Sequence, residues 1–285
     1  MNELLAPPDQ ISDRFGQILK LTRPAGKDCW SFVAPGKALR EGRIWLGGDW
    51  LNLEVPLKSA KKDADCLAEM LSFNAELRGR AKFTLRDKPW RAVLAAEIPI
   101  DGSLDGAGEM LEHTIAGFQQ AADWLRSCNR TKMAADFHER DAEGTSLANL
   151  VSETGWSFTE RPDGRVAVPL EVPFAFSQAI VERLPGGRVR LSVGLEDVRP
   201  SNLMSQNAVN LFLLSACGIV RFARCAGKTD GSGLEWEVVF DTPPDAEQFK
   251  HALASLSVGW GLTAREARAL QEEVTARRYL AFQEW

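Results

Sequence analysis

The chain lacks a long hydrophobic run, a basic excess and the start of a secreted protein. No apolar run reaches the roughly 18 residues that a membrane-spanning helix needs, and residues 1–15 have neither the basic start nor the apolar core of a signal peptide. The net charge is -5, from 34 Lys and Arg against 39 Asp and Glu, whereas general nucleic-acid binders usually carry a basic excess. We therefore expect a cytoplasmic protein that binds neither membranes nor nucleic acids.

Residues that commonly carry catalysis or bind metals are also scarce. Five scattered cysteines form no disulfide framework, and their odd number fits a reducing compartment. The three histidines form no zinc motif with each other or with cysteine. Nucleophile elbows and nucleotide-binding glycine motifs are absent, and Gly227–Thr229 lacks the leading glycine of a phosphate loop. We expect a protein that is not an enzyme and holds no cofactor and no metal.

One loop has the spacing of a calcium motif. Asp101–Glu112 places oxygen-bearing side chains at positions 1, 3, 5, 9 and 12 of the loop, with Gly106 at position 6. However, Gly108 stands where an apolar residue is usual, and the other half has no counterpart at 241–252. The alternative is a polar turn in which Asp105 caps the following helix.

The chain has 285 residues, enough for one large domain or two of about 140 residues. Two tripeptides, Trp30–Phe32 and Trp156–Phe158, repeat the sequence Trp-Ser-Phe, and strand-like stretches begin with Gly-Arg at Gly42 and at Gly187. An apolar helical stretch, a strand pair and a final helix follow in each half. These similarities predict an internal duplication.

The predicted fold is α+β, with two similar units that each consist of an antiparallel sheet and helices. The first unit spans 1–128, a polar connection spans 129–144, and the second unit spans 145–285. Relative to the first half, 162–176 reads as an extra hairpin. The predicted helices are 63–79, 106–126, 202–216, 245–257 and 263–280.

The order of elements resembles the type III secretion chaperone fold, which YbjN-like proteins share. LAEMLSFNAEL, FTL and WRAVLAAEIPID, followed by MLEHTIAGFQQAADWLRS, resemble the family's central helix, hairpin and last helix. The matching positions include the Pro-apolar-Asp turn at Pro99–Asp101 and Trp124 near the end of the last helix. The resemblance covers 40–126 well and 145–285 loosely.

The resemblance implies a function without chemistry. Chaperones of this family are small acidic homodimers that hold a partner segment in extended form and use no nucleotide. Two such units in one chain imply a covalent pseudo-dimer that is a monomer in solution and binds a protein or peptide client. The acidic pI near 5.4 agrees with this family.

Nine tryptophans stand beside a single tyrosine, and two of them are candidates for a partner-binding surface. Trp45 and Trp50 are five positions apart, so on one regular strand they point to opposite faces. At most one is then a core residue, unless both faces are covered or Gly47–Gly48 breaks the strand. The same sheet offers edge pairing to a partner strand.

Two other functions stay open. The chain is alternatively a small-ligand binder or an enzyme with a pocket between the two halves, which requires carboxylates or histidines that converge in that cleft. It is otherwise a structural or regulatory subunit that pairs permanently with another protein. The stoichiometry and lifetime of the complex distinguish this last function from client binding.

Overall fold

The structure is a computed structural model with an α+β fold, which confirms the predicted fold class. Two antiparallel six-stranded sheets and six α-helices occur within the described residues. The predicted connection at 129–144 lies outside this part of the chain, so the unit boundaries stay a prediction. The described residues are 12, 14–26, 29–36, 39–57, 64–86, 90–100, 106–127, 146–172, 175–228 and 231–283.

The described part of the first half contains one sheet and two complete helices. Its strands are β1 (Leu21–Gly26), β2 (Cys29–Phe32), β3 (Gly42–Leu46), β4 (Trp50–Pro56), β5 (Lys82–Arg86) and β6 (Arg91–Pro99). Helix α1 (Ala64–Asn74) joins β4 to β5, and α2 (Ala107–Arg126) follows β6. The strands lie in the order β1-β2-β3-β4-β6-β5, and every neighbouring pair is antiparallel.

The second half begins with α3 (Leu147–Thr154) and contains the other sheet. Its strands are β7 (Thr159–Glu160), β8 (Val166–Val172), β9 (Ala175–Arg183), β10 (Val189–Gly194), β11 (Arg224–Gly227) and β12 (Leu234–Phe240). Its further helices are α4 (Leu203–Cys217), α5 (Ala246–Ala269) and α6 (Glu273–Phe282), with a 3₁₀ turn at Pro185–Gly187. No helix in the described part of the chain has the length and apolarity to span a membrane.

The two sheets have the same strand order. The second sheet runs β7-β8-β9-β10-β12-β11, so each strand corresponds to the strand six places earlier in the chain. In chain order, α1 lies between β4 and β5, and α4 lies between β10 and β11, so the two helices occupy equivalent positions. In the first sheet Lys82 pairs with Ala95, and in the second Arg224 pairs with Glu237. These pairs align the two halves residue by residue.

The sequence matches that suggested the duplication do not align in the structure. Trp30–Phe32 lies on β2, whereas Trp156–Phe158 precedes β7, the counterpart of β1. Gly42 begins β3, whereas Gly187 precedes β10, the counterpart of β4. The interpretation of 162–176 as an extra hairpin is wrong, because β8 and β9 correspond to β2 and β3.

A tight turn divides the stretch from Gly42 to Pro56 into two strands. Gly48 adopts a φ of 61°, a left-handed conformation that is readily available only to glycine. The Gly47 N–H donates to the Trp50 carbonyl oxygen at 2.9 Å, which closes the hairpin between β3 and β4. This stretch therefore supplies both counterparts of β9 and β10.

The longest helix continues through residues where the sequence predicts a break. Helix α5 packs against β12, and its Thr263 hydroxyl accepts a hydrogen bond from Trp236 Nε1 at 2.8 Å. A Cβ on Gly259 would lie 2.7 Å from the Trp236 ring, so glycine allows the helix to approach the fully buried indole. The break falls instead at 270–272, between α5 and α6.

Candidate functional site between the two halves

The halves pack through equivalent elements. Helix α1 packs against α4 and against β11, and α4 packs against β5. The contact of α1 with β11 is thus the counterpart of the contact of α4 with β5. Each half thus covers the outer edge strand of the other.

The other sheet edges are poorly suited to the addition of a partner strand. Pro24 lies in the edge strand β1, and Pro169 lies on β8 beyond the two residues that β7 covers. A proline has no N–H to donate to a neighbouring strand. Partner binding by edge pairing, which the sequence left open, therefore finds little support in this geometry.

A buried lysine ties the first half to the second. Lys82 on β5 is 1% exposed, and its ammonium group donates to the carbonyl oxygens of Val220 at 2.6 Å and Ala223 at 3.2 Å. Glu97 lies 2.7 Å from the same ammonium group. Because the carbonyls and the carboxylate surround the cation, its charge is compensated inside the interface.

A buried arginine makes the reciprocal contact from the second half. Arg224 on β11 is 4% exposed, and its Nη1 donates to the carbonyl oxygens of Leu77 at 2.8 Å and Ala81 at 3.0 Å. Its Nε donates to Glu237 at 2.9 Å. Lys82 and Arg224 are equivalent residues, and each bonds the carbonyl that immediately precedes the other.

A cation and an aromatic ring meet at the centre of the interface. Arg80 and Phe222 occupy equivalent positions, two residues before Lys82 and Arg224, and the Arg80 Cζ lies 4.0 Å from the centre of the Phe222 ring. Burial lowers the pKa of Arg80 to about 9, although Asp241 acts in the opposite direction. Phe222 has a φ of 68°, the one positive value among the described residues other than glycine, and such strain costs about 1–3 kcal/mol.

One side of this centre is filled by aromatic rings. Trp50 lies with its ring centre 6.0 Å from that of Phe222 and 5.6 Å from that of His251. The Arg221 guanidinium carbon lies 5.6 Å from the Trp50 ring centre. We call Trp50, Arg221, Phe222 and His251 the aromatic corner. Its rings come from both halves, so Trp50 is part of the contact between them.

The equivalent side is polar. Strand alignment places Arg188 opposite Asp241, where the aromatic corner has Trp50 opposite Pro99. The Gly79 N–H donates to Asp241 Oδ2 at 2.8 Å across the halves. Burial lowers the pKa of Arg188, and the nearby Asp241 carboxylate opposes this shift. We call Gly79, Arg80, His113, Arg188 and Asp241 the polar corner.

The polar corner contains a cavity of about 150 Å³. Arg80 and His113 line it from the first half, and Phe240 and Asp241 line it from the second. The N-termini of α2 and α5 reach it at Gly106 and at Asp245, and Glu109 lines it as well. Carboxylates and a histidine thus converge between the halves, which is the feature required for the ligand-binding alternative.

A larger depression of about 500 Å³ lies on the second half, between the start of α3 and the turn before β8. Several of its charged groups already pair with one another or with neighbours. Asp163 accepts from Arg165 Nε at 2.7 Å, and Glu182 lies 2.6 Å from Arg190. We therefore place the candidate site in the smaller cavity, which residues of both halves line.

The two tryptophans proposed for partner binding lie on adjacent strands and on the same face. Trp45 pairs with Asn52 across the β3–β4 hairpin, and Trp50 is two residues from Asn52 on β4. The Asn52 amide donates to the carbonyl oxygens of Trp50 at 3.1 Å and of Trp45 at 3.5 Å. Ile44 and Leu51 fill the opposite, core-facing side. The break at Gly47–Gly48 is therefore the correct alternative.

Tryptophans serve mainly in packing. In the described part of the chain each of them is buried or half-buried, and Trp285 lies outside that part. Trp124, which the resemblance places near the end of the last helix, stacks on Phe73 with ring centres 4.9 Å apart. Trp45 is half-buried on the outer face of its sheet, where its counterpart is Glu182. It is the one of the two candidate tryptophans that remains outside the contact between the halves.

Metal and thiol chemistry receive no support from the described residues. No group of three or more His, Cys, Asp or Glu side chains among them is arranged to hold a metal. The first part of the calcium-like loop, 101–105, lies outside that set, and α2 begins directly after Gly106. Cys217 and Cys225 are buried as expected, and burial raises the pKa of Cys217 to about 11.

The residues of the polar corner were missed by sequence reasoning. Arg80, Arg188 and Asp241 belong to no motif, and they are far apart in the chain. Alignment of the two halves by strand order would have identified them, because it places charged residues opposite aromatic or apolar ones. No protein-family model matches the chain, and no curated protein matches it.

Proposed function

We propose that the chain is a non-enzymatic module that binds a protein or peptide partner in extended form, in the manner of a type III secretion chaperone dimer. The observation that carries this proposal is the reciprocal pairing of the halves through Lys82 and Arg224. Two units of one topology, joined as a dimer would be, agree with the covalent pseudo-dimer that the resemblance implies. Such a module needs no cofactor.

A pseudo-dimer predicts a monomer in solution, because the pairing surface is already occupied within the chain. Light scattering on the purified protein should give the mass of one chain, 31.4 kDa. A mass of about twice this value would mean that a further surface pairs two chains and would contradict the expected monomer.

Trp45 is the residue at which we expect a partner to bind. Trp50 contacts Phe222 and His251 of the other half, so its replacement would disturb the fold as well as the surface. Trp45 is half-buried and has the exposed Arg43 on the same strand. A half-buried indole beside exposed charge offers the apolar area and polar edge that protein contacts favour.

Site-specific photo-cross-linking in the native cell tests this surface. A photoreactive phenylalanine analogue at position 45 should yield one discrete adduct, identified by mass spectrometry. The matched control carries the same analogue at Val258 on α5, which is 51% exposed and should yield no such adduct. The variant Trp45→Ala should lose the same partner and retain the unfolding midpoint within the range of surface substitutions. Absence of a discrete adduct at position 45 would contradict the proposal.

A second candidate function is the binding of a small ligand between the halves. The observation that favours it is the cavity of the polar corner, where His113, Asp241 and Arg80 converge. Native mass spectrometry of the purified protein tests for a small molecule that accompanies the chain. A bound species that disappears in the variant His113→Ala and persists in His251→Ala would support this function. Identical spectra for these two variants would contradict a ligand at this position.

A further inference from the structure

We propose that the partner segment bound at Trp45 presents an acidic side chain beside an apolar one, and that Arg43 and Arg221 recognise the acid. This inference rests on the proposed binding of an extended partner. It deepens that proposal, because it gives the chemistry of the partner and names the side chains that select it. It does not depend on the cavity of the polar corner.

Trp45 lies on the part of the first sheet that the second half leaves uncovered. A loop of the second half, just before β11, crosses the outer face of this sheet from β5 to β4. Lys82 on β5 donates to the Val220 carbonyl oxygen at 2.6 Å, and the Arg221 guanidinium carbon lies 5.6 Å from the ring centre of Trp50 on β4. Strand β3, which carries Trp45, lies next to β4 on the side away from β5. A partner segment therefore has access to β3 beside this loop.

Arg43 supplies an unpaired cation next to the indole. It precedes Trp45 by two residues on β3 and therefore lies on the same face of the sheet. It is exposed and forms no ion pair with any residue that the structure describes. Burial raises the pKa of the Cys29 thiol, and the positive charge of Arg43 opposes this shift. Because Cys29 pairs with Trp45 across the strands, the Arg43 charge is felt at the Trp45 position.

Arg221 supplies a second cation near the turn of the β3–β4 hairpin. Its side chain is exposed, and within the described ranges no carboxylate forms an ion pair with it. Its guanidinium group lies by the ring of Trp50, which is closer to the turn than Trp45 is. Arg43 lies farther from the turn than Trp45. The two cations are thus on opposite sides of the Trp45 indole along the hairpin.

Most carboxylates near this surface are already engaged. Three of them form ion pairs: Glu54 with Arg86, Glu97 with Lys82, and Glu41 with Arg23. Asp49, in the turn of the hairpin, is exposed and has no ion pair in the described part of the chain. Two unpaired cations thus stand against one unpaired carboxylate. The surface therefore attracts an acidic group and repels a basic one.

The second sheet does not offer the same chemistry. The positions equivalent to Arg43 and Trp45 carry Ile180 and Glu182. Glu182 lies 2.6 Å from Arg190, so the charges at this place are already paired within the sheet. An acidic partner segment therefore fits the outer face of the first sheet and not that of the second.

Synthetic peptides test the chemistry of the partner directly. Protein labelled with fluorinated tryptophan gives a fluorine NMR signal for each tryptophan, and the variant Trp45→Phe assigns the signal of Trp45. Titration with acetyl-Glu-Leu-Glu-Leu-Glu-amide at low salt should shift this signal with a Kd on the order of 1 mM. The peptide with Gln in place of Glu should bind at least about fivefold more weakly, and the peptide with Lys should cause no shift.

Charge variants test the assigned residues. Arg43→Glu should weaken binding of the Glu peptide by about tenfold and Arg43→Gln by about threefold, because only the first replaces attraction by repulsion. Arg221→Glu should also weaken binding. The matched control is Arg265→Glu, which changes the net charge equally at an exposed arginine of α5 that has no ion pair among the described residues. It should bind as the parent does, and the signals of the other tryptophans show whether each variant is folded.

Cross-linking from position 45 in the native cell separates this inference from the proposed function. The yield of the adduct should fall by about fivefold or more in Arg43→Glu and should be retained in Arg265→Glu. An adduct that persists unchanged in Arg43→Glu would overturn the acidic partner and leave partner binding itself intact. Equal shifts with the Glu and Gln peptides, an unmoved Trp45 signal at about 10 mM Glu peptide, or an adduct with a second copy of the chain would overturn it as well. Absence of any adduct in the parent would contradict the proposed function together with this inference.

Discussion

The two corners of the interface occupy equivalent positions and differ in chemistry. The aromatic corner joins the halves through the rings of Trp50, Phe222 and His251. The polar corner joins them through the hydrogen bond from Gly79 to Asp241 and leaves a cavity beside Arg80. The two halves thus have the same backbone topology at these corners but different side chains.

The two halves differ less in the paired cations Lys82 and Arg224 than in their corners. Lys82 and Arg224 both donate to backbone carbonyl oxygens of the opposite half. A carbonyl oxygen is present whatever the residue, so a cation aimed at the backbone tolerates substitutions in its partner segment. Contacts between side chains, as at the corners, require both partners. The halves therefore pair through the same type of contact at Lys82 and Arg224 and differ in chemistry at their corners.

The largest expected effect is the loss of a central cation. Arg224→Ala leaves the carbonyl oxygens of Leu77 and Ala81 without their donor and removes the closest partner of the buried Glu237. We expect the free energy of unfolding to fall by about 3–5 kcal/mol. Urea denaturation measures it. Lys82→Ala should have a similar effect, because it removes the cation that lies 2.7 Å from the buried Glu97.

An exposed ion pair provides the control for this pair of variants. Arg277 pairs with Glu273 on α6, where both side chains are more than half exposed. Arg277→Ala should therefore change the free energy of unfolding by less than about 0.5 kcal/mol. The free energy of unfolding could fall in only one of the variants Arg224→Ala and Lys82→Ala, while the other stays close to the control. That result would show that the two cations are equivalent in position but not in their contribution to stability.

A smaller effect is expected at the corners themselves. Trp50→Ala removes ring contacts with Phe222 and His251 from a half-buried position, and we expect a loss of about 2 kcal/mol. Its counterpart Arg188 is also half-buried, and Arg188→Ala should cost less than about 1 kcal/mol, because its charge remains partly hydrated. Urea denaturation of both variants measures the difference. Equal losses would mean that the polar corner holds the halves together as strongly as the aromatic corner does.

Much of the fold follows from local sequence patterns. The predicted helix at 202–216 is α4 (Leu203–Cys217), and the one at 106–126 is α2 (Ala107–Arg126), because helical periodicity is a property of the segment itself. The apolar stretch 218–226 has the pattern of a strand, but only β11 lies in a sheet. Residues 218–223 form a loop in which Val220, Phe222 and Ala223 are buried and Ile219 is exposed, and no local pattern distinguishes that burial from a strand.

The candidate site forms only where the two halves pack together, so local sequence patterns could not predict it. Trp45 and Trp50 were singled out by residue type, and only the turn at Gly48 decides that they share a face. The cavity forms from Arg80 and Asp241, which are 161 positions apart and meet because the halves pair. The ligand-binding alternative requires carboxylates or histidines that converge between the halves, and the cavity has this feature.

The smallest expected effect compares the outer faces of the two sheets. Glu235 on β12 is 4% exposed and lies 3.1 Å from Arg190, whereas the equivalent position in the first sheet is the buried, apolar Val93. Burial raises the pKa of Glu235, although Arg190 lowers it. A raised pKa in the folded state means that the neutral form favours folding. This contribution is present below the ordinary pKa of glutamate and is lost as the pH rises through the raised value.

Glu235→Gln mimics the neutral carboxyl group and retains its shape. At pH 7 the variant should be more stable than the parent by less than about 1 kcal/mol, and this gain should vanish as the pH falls below the ordinary range of glutamate. Urea denaturation at pH 7 and at about pH 3 measures both values. Arg190 retains Glu182 at 2.6 Å in the variant, so the cation stays paired. A loss of stability at pH 7 would mean that attraction to Arg190 outweighs burial, and that the charged outer face of the second sheet stabilises it where the first sheet relies on apolar packing.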